Sequence, residues 1–274
     1  MNRPLVVVFG DKGFLGKRMV SGFLSKDFNV IGLNRETLNI YSGVEVVSEV
    51  LDVSNLMRFI LTTSRPFIVI NCVRDDVERL DERYFEILGL LACDAKVVIN
   101  FSTYIQHYPL DTDSRLKTYR DNQLKKSKYL EGICESGNIL DITLFTVYGP
   151  EDSQNSFLSY AAQKLFHSEA IELTGLEQLI SYTYVDDVVT LIQNFIIESR
   201  IPFGRFSFWQ TPPLPLQDYF NVLMSLTQSN CKPLIGNLPY KGHELFSYNP
   251  SIFPPQISNA FSWTNFEVGL ESYL

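Results

Sequence analysis

Two kinds of hydrophobic spacing take turns along the first 150 residues. Short runs of consecutive apolar, largely β-branched residues occur at Leu5–Phe9, Val30–Leu33, Val44–Leu51, Phe67–Cys72, Val97–Phe101 and Ile142–Val147. Runs of this length suit strands buried on both faces, as in a parallel sheet covered by helices. Between them the spacing lengthens to that of a helix. Phe14–Ser25 sets Phe14, Leu15, Met19, Val20, Phe23 and Leu24 along one side. Asp52–Thr63 and the segment from Tyr119 to about Glu135 repeat the pattern. Strand and helix in alternation predict a Rossmann-type, doubly wound α/β parallel sheet.

The texture changes after Pro150. Ser156–Phe166 reads as a helix, Ala170–Thr174 and Tyr182–Val185 as strands, and Asp187–Glu198 as a helix rich in Val, Leu and Ile. Phe206, Phe208 and Trp209 alternate as in a buried strand. Prolines then concentrate between Pro212 and Pro255, which predicts a loop-rich part of the kind that forms a lid or a substrate-binding half.

Composition narrows the choice of partner. The 274 residues are 45% hydrophobic, enough for a large core, and carry 23 Lys+Arg against 31 Asp+Glu, a net charge of -8. That balance lacks the basic footprint of a nucleic-acid binder and argues against an anionic membrane surface as partner. An anionic ligand would need a locally arranged pocket. Cys72, Cys93, Cys134 and Cys231 form no CxxC pair, so reduced thiols and a cytoplasmic setting are expected. No apolar stretch approaches the roughly 18 residues of a membrane span, and the N-terminal run is too short for a signal peptide.

Leu5–Phe9 runs directly into Gly-Asp-Lys-Gly-Phe-Leu-Gly, with glycines at Gly10, Gly13 and Gly16 and a helix after them. Strand, glycine turn and helix together present backbone N–H groups and a helix N-terminus to a pyrophosphate. Gly10 permits the tight turn, Gly13 lets backbone approach phosphate, and Gly16 allows close helix–strand packing. The spacing is GxxGxxG rather than GxGxxG. The second strand ends at Leu33-Asn34-Arg35, without the acidic residue that accepts from the adenosine ribose of NAD. Arg35 can pair with a 2′-phosphate, which favours NADP, with NAD the second choice. Asp52 has two roles open to it: accepting from the adenine amino group, or capping the following helix.

These segments, taken in order, resemble the extended short-chain dehydrogenase/reductase family, also called the NAD-dependent epimerase/dehydratase family. Gly10–Gly16 resembles its glycine turn, and Leu51-Asp52-Val53 its adenine-contacting segment. Phe67–Val73 and Val97–Thr103 are similar to its fourth and fifth strands, and Phe145–Pro150 to the signature after the sixth. Tyr182–Val189, Leu238–Glu244 and the closing Phe266–Leu274 complete the series. Within the family the likeness is to nucleotide 4-keto-6-deoxysugar reductases and epimerases. The resemblance implies a dinucleotide-binding domain from residues 1–150 and about 181–210. A smaller, interleaved substrate-binding domain takes about 151–180 and 211–274. It also implies a nucleotide-sugar substrate and a homodimer formed through the helix of Tyr119.

In that family a Ser/Thr after the fifth strand, a helical Tyr and a Lys four residues later act together beside the nicotinamide. Carried over by position, these are Thr103, Tyr119 and Gln123, so the lysine is replaced. The resemblance also assigns Phe14, Leu15, Asn34 and Val53 to the cofactor, and Tyr148 and Lys241 to the substrate. Bringing a phenol from its reference pKa of ~10 to ~7 takes about 4 kcal/mol, which a neutral Gln cannot supply. Lys126 lies seven residues from Tyr119, roughly 10 Å along a helix, and is expected with Lys125 and Lys128 on a solvated face. Oxidation of an alcohol, which needs a phenolate base, suffers most from such a loss; carbonyl reduction, which needs the protonated phenol, suffers less.

Other family positions also depart: an arginine falls on Ile180, an asparagine near the active site on Glu86, and a diphosphate-contacting arginine on Lys241. His107, His167 and His243 have no metal-ligand spacing. Asp186 and Asp187 are expected to cap the helix that follows them. Three functions are therefore expected in order: NADPH-dependent reduction of a nucleotide 4-keto sugar, a catalytically impaired cofactor-binding subunit, and an NAD-dependent sugar-nucleotide epimerase.

Overall fold

The computed structural model describes residues 3–34, 36–42, 45–50, 52–62, 66–73, 82–108, 114–134, 137–154, 156–240, 244–257 and 261–272. The apolar runs of the first half are strands: β1 (Leu5–Phe9), β2 (Val30–Leu33), β3 (Thr37–Ser42), β4 (Glu45–Val50), β5 (Phe67–Asn71), β6 (Val97–Thr103) and β7 (Ile139–Leu144). Helices α1 (Phe14–Leu24), α2 (Val53–Thr62), α3 (Glu82–Asp94) and α4 (Ser114–Ile133) lie between them. The second half adds β8 (Thr146–Tyr148), α5 (Phe157–Phe166), β9 (Glu172–Leu173), β10 (Leu179–Ile180), β11 (Tyr182–Tyr184) and α6 (Val185–Ile197). It closes with β12 (Gly204–Phe208), β13 (Leu214–Pro215), α7 (Leu216–Thr227), β14 (Leu234–Ile235) and α8 (Phe266–Glu271).

Eight strands form one sheet in the order β12-β7-β6-β5-β1-β2-β3-β4. Alternate residues of β1 divide between two cores, as the period of a strand requires. Val6 and Val8 join Met19 and Phe23 of α1 and Val188 and Ile192 of α6 on one face. Val7 and Phe9 join Leu56 of α2, Leu88 and Leu91 of α3 and Leu130 of α4 on the other. This double cover is why all five residues of β1 can be apolar.

One edge departs from a parallel sheet. The expected strand at Val44–Leu51 is present as Glu45–Val50, but Thr37–Ser42 precedes it as a further strand. β2 pairs antiparallel with β3 and β3 antiparallel with β4, so this edge is antiparallel where a parallel sheet was expected. Thr37–Ser42 alternates polar and apolar residues, and the search for continuous apolar runs passes over such a strand. α7 is likewise a twelve-residue helix within the part read as loop-rich. Tyr148, Leu158, Leu165, Tyr182, Phe220 and Leu270 share a third core, built from α5, α7, α8 and the short strands.

Asp186 and Asp187 hold tertiary structure together rather than capping α6. The residue before α6 is Tyr184, and no side chain caps it. Asp186 takes two hydrogen bonds from the Arg18 guanidinium of α1, at 3.1 and 2.9 Å. Asp187 accepts from the Thr264 backbone N–H at 3.0 Å and its hydroxyl at 2.7 Å, which ties the C-terminal segment down. None of the four cysteines is in a disulfide.

Candidate active site

The glycine turn is shaped by two contacts that side chains would prevent. Gly10 has φ of +90°, in the region that favours glycine, and its N–H donates to the Leu33 carbonyl at 2.7 Å. A Cβ on Gly16 would stand 2.0 Å from the Gly10 carbonyl oxygen, so the first turn of α1 lies directly on the turn. Gly13 is the N-cap of α1 and carries no capping side chain. The N–H groups of Phe14, Leu15 and Gly16 open the helix without side-chain satisfaction, and the helix dipole adds partial positive charge there. This cradle fits the pyrophosphate of a nicotinamide dinucleotide.

The adenosine side differs from the sequence reading. Arg35 lies outside the described residues. Asn34 spends its amide on the turn into β3: its Oδ1 accepts from the Glu36 and Thr37 N–H groups, both at 3.0 Å, and its Nδ2 donates to Thr37 Oγ1 at 2.7 Å. Asp52 caps α2 by accepting from the Asn55 N–H at 2.7 Å, and Val53 is the first residue of that helix. A residue that the sequence reading passed over, Asp11, is a buried carboxylate inside the glycine turn. It accepts from Asn39 Nδ2 at 2.8 Å and the Tyr41 hydroxyl at 2.7 Å, and its side chain occupies the space over Gly32. Burial, reinforced by this carboxylate, pushes the Tyr41 phenol far above its ordinary range.

The first of the residues expected to be catalytic stands at the carboxyl end of β6. Thr103 closes β6, and its Oγ1 accepts from the Ile105 N–H at 3.4 Å, which leaves the hydroxyl proton to be donated. A short 3-10 turn, Tyr104–His107, follows and packs on α4. Tyr104 stacks on Phe145 at 4.5 Å between ring centroids. Burial, helped by the neighbouring Tyr119, raises its phenol to about 12. Tyr119 itself is half-buried on α4. Gln123 is 2% exposed, and its Oε1 has no hydrogen-bond partner among the described residues.

Lys126 corrects the sequence reading. Far from sharing a solvated face, it is wholly buried, while Lys125 and Lys128 are exposed. Its Nζ donates to the Phe101 carbonyl at 3.2 Å and the Val73 carbonyl at 3.4 Å, at the ends of β6 and β5. Burial drives the Cys72 thiol well up, and the Lys126 ammonium partly offsets that rise. A buried ammonium thus stands about one turn beyond Gln123 on the same helix. In the i, i+4 relation to Lys126 stands Asn122, whereas Tyr119 is about two turns away.

The remaining positions sort by burial. Tyr148 is 2% exposed in the third core, with its hydroxyl donating to the Phe266 carbonyl at 3.4 Å, so it packs under α8 rather than lining an open site. Ile180 lies in β10, half-buried, and Glu86 is exposed on α3. Lys241 and His243 fall outside the described residues. His107 bonds to Thr143 Oγ1 at 3.1 Å, and burial, aided by Arg205, lowers its pKa to about 4. Among the described residues no cluster could hold a metal ion, and no helix is long and apolar enough to cross a membrane.

Solved structures share this architecture at low identity. MoeE5, in complex with UDP-glucuronic acid and NAD, is 17% identical with a TM-score of 0.72, covering 97% of this chain and 96% of its own. The UDP-glucose 4-epimerase of Thermotoga maritima, solved with UDP-glucose, is 18% identical at a TM-score of 0.71, covering 98% and 97%. The dTDP-4-dehydrorhamnose reductase of Bacillus anthracis, in complex with NADP, is 14% identical at 0.66, covering 99% and 98%. These likenesses establish the fold. A family model, NAD dependent epimerase/dehydratase, matches residues 6–199, across the glycine turn, the end of β6 and all of α4. The chain belongs to the NAD dependent epimerase/dehydratase family.

Proposed function

We propose that the protein is an NAD(P)-dependent oxidoreductase that reduces the 4-keto group of a nucleotide-linked sugar. The observation that carries this reading is the buried Lys126 ammonium at the ends of β5 and β6, between the glycine turn and Thr103. A bound nicotinamide cofactor supplies hydride to the sugar carbon. The chain's own groups do the rest. The N–H groups at the start of α1 hold the pyrophosphate, with Arg35 toward a 2′-phosphate and Asp52 and Val53 beside the adenine. Lys126 fixes the ribose next to the nicotinamide, with Gln123 Oε1 as a neighbouring acceptor. The Thr103 hydroxyl hydrogen-bonds the sugar oxygen and keeps its proton, and Tyr119 transfers the one proton that oxygen gains as negative charge develops, to be reprotonated from solvent. Lys241 is the residue proposed to pair with the diphosphate of the sugar nucleotide.

The separation of Tyr119 from Lys126 favours reduction. Seven residues of helix set the two backbones roughly 10 Å apart along the axis, and unit charges at that spacing in an effective dielectric of 20 would interact by about 1.7 kcal/mol. That is well short of the ~4 kcal/mol that makes a phenolate base at neutral pH. Reduction asks only for a protonated phenol, so of the two directions it needs less from this spacing. MoeE5 and the Thermotoga epimerase are solved with UDP-linked ligands and the Bacillus reductase with NADP, which supports this substrate and cofactor class. The four unpaired thiols suit a reducing cytoplasm, and a homodimer through α4 is the assembly this reading carries.

The test is to incubate the protein with NADPH or NADH and a panel of nucleotide 4-keto sugars, following absorbance and product mass. Reduction predicts stoichiometric loss of the reduced cofactor and a product two mass units heavier, with a drop of roughly 10²-fold in Tyr119→Phe. Interconversion of sugars without net cofactor consumption would establish an epimerase instead. Cofactor binding with no turnover of any sugar would leave a non-catalytic subunit.

A further inference from the structure

α4 brings the ammonium to the site, and its apolar anchors, Leu130 with the partly buried Tyr129 and Ile133, all lie C-terminal to Lys126. Among its described side chains the buried ones are Gln123, Lys126, Ser127 and Leu130, so three of the four are polar. Apolar packing alone lets a helix slide along a sheet, and each residue of slip moves a side chain by about 1.5 Å. A polar row beneath the helix adds a directional anchor. Asn71, Asn100 and Asp141 stand side by side on β5, β6 and β7, paired in register across the sheet. All three face the core that contains α3 and α4, and all are buried. Asn71 Nδ2 donates to Asn100 Oδ1 at 2.8 Å and to the Tyr84 hydroxyl at 3.0 Å. Asn100 Nδ2 donates to Asp141 Oδ1 at 2.8 Å, and the second carboxylate oxygen accepts from the Ser127 hydroxyl at 3.1 Å.

Such a row is costly to bury unless its members are satisfied, and it then fixes one arrangement against its alternatives. Its place is telling. Phe101, whose carbonyl receives Lys126, is the residue after Asn100 on β6. Ser127, whose hydroxyl reaches Asp141, is the residue after Lys126 on α4. Neighbouring residues on a helix point about 100° apart, so one turn of α4 sends Ser127 onto the sheet and Lys126 across the strand ends. We propose that Asp141 and Ser127 are positioning residues that set the axial position of α4 and thereby hold the Lys126 ammonium where the nicotinamide ribose binds. The proposal rests on the reading of Lys126 given above.

Fluorescence titration of NADPH and NADH into the full-length chain tests it, in a cycle of Ser127→Ala with Lys126→Met. The expected result is that Ser127→Ala weakens the preferred cofactor about tenfold when Lys126 is present and leaves affinity unchanged in the Lys126→Met background, with Ser127→Thr restoring it. Asp141→Asn, which keeps the side chain's shape, should weaken affinity in the same background-dependent way and serves if Ser127→Ala does not fold. An equal loss in both backgrounds, or no loss with Lys126 present while thermal stability falls, would show a purely structural role and overturn the proposal. A wild-type chain that binds neither cofactor would overturn the functional reading, and the proposal with it.

Discussion

At the scale of single residues, the site is set by which polar groups are taken out of water. His107 shows the consequence for stability. Burial beside Arg205 lowers its pKa to about 4 from 6.5, so the unfolded chain binds the proton more readily than the native one. Stability is therefore full above pH 6.5 and falls as the pH drops from 6.5 toward 4. Thermal melts across that range should show a steeper loss of Tm for the wild type than for His107→Gln; parallel curves would contradict it. Lys126 shows the limit of reading a sequence by spacing. Counting four residues from Tyr119 leads to Gln123, and a run of three lysines within Lys125–Lys128 reads as a solvated face. Only the way α4 lies on β6 and β7 reveals that the middle lysine turns inward. Asp11 was illegible for a similar reason, because its partners Asn39 and Tyr41 come from a hairpin that apolar runs do not announce.

At the scale of elements, the strands buried on both faces were the most legible part of the chain. β1, β2, β5 and β6 fall on their apolar runs because double cover by helices leaves no room for polar alternation. The β3–β4 hairpin, with β4 exposed at the sheet edge, follows the opposite rule and carries polar residues into the sheet. Its Tyr41 ties that edge to the glycine turn through Asp11. A hydrogen bond to a charged group contributes about 1.5–3 kcal/mol, so Tyr41→Phe should lower the unfolding free energy by that order. Urea denaturation measures it. A change below about 0.5 kcal/mol would mean that the hairpin and the glycine turn are held independently.

At the scale of the whole molecule, the proposed function brings two anionic ligands to an acidic protein, and local groups must answer the net charge of -8. The start of α1 offers backbone donors, and α4 carries an ammonium to the centre of the sheet's carboxyl edge, where ligands bind in open α/β folds. The second half has its own core, and its C-terminal segment is tied to α6 at Asp187. Every part of this account converges on Lys126. The most direct measurement is the rate of hydride transfer to a nucleotide 4-keto sugar by Lys126→Met, with Gln123→Met beside it, both shown to be folded by circular dichroism. Lys126→Met is expected to lose at least about 10²-fold in rate and Gln123→Met far less. A Lys126→Met enzyme as fast as the wild type, or a larger loss in Gln123→Met, would contradict the assignment of the site.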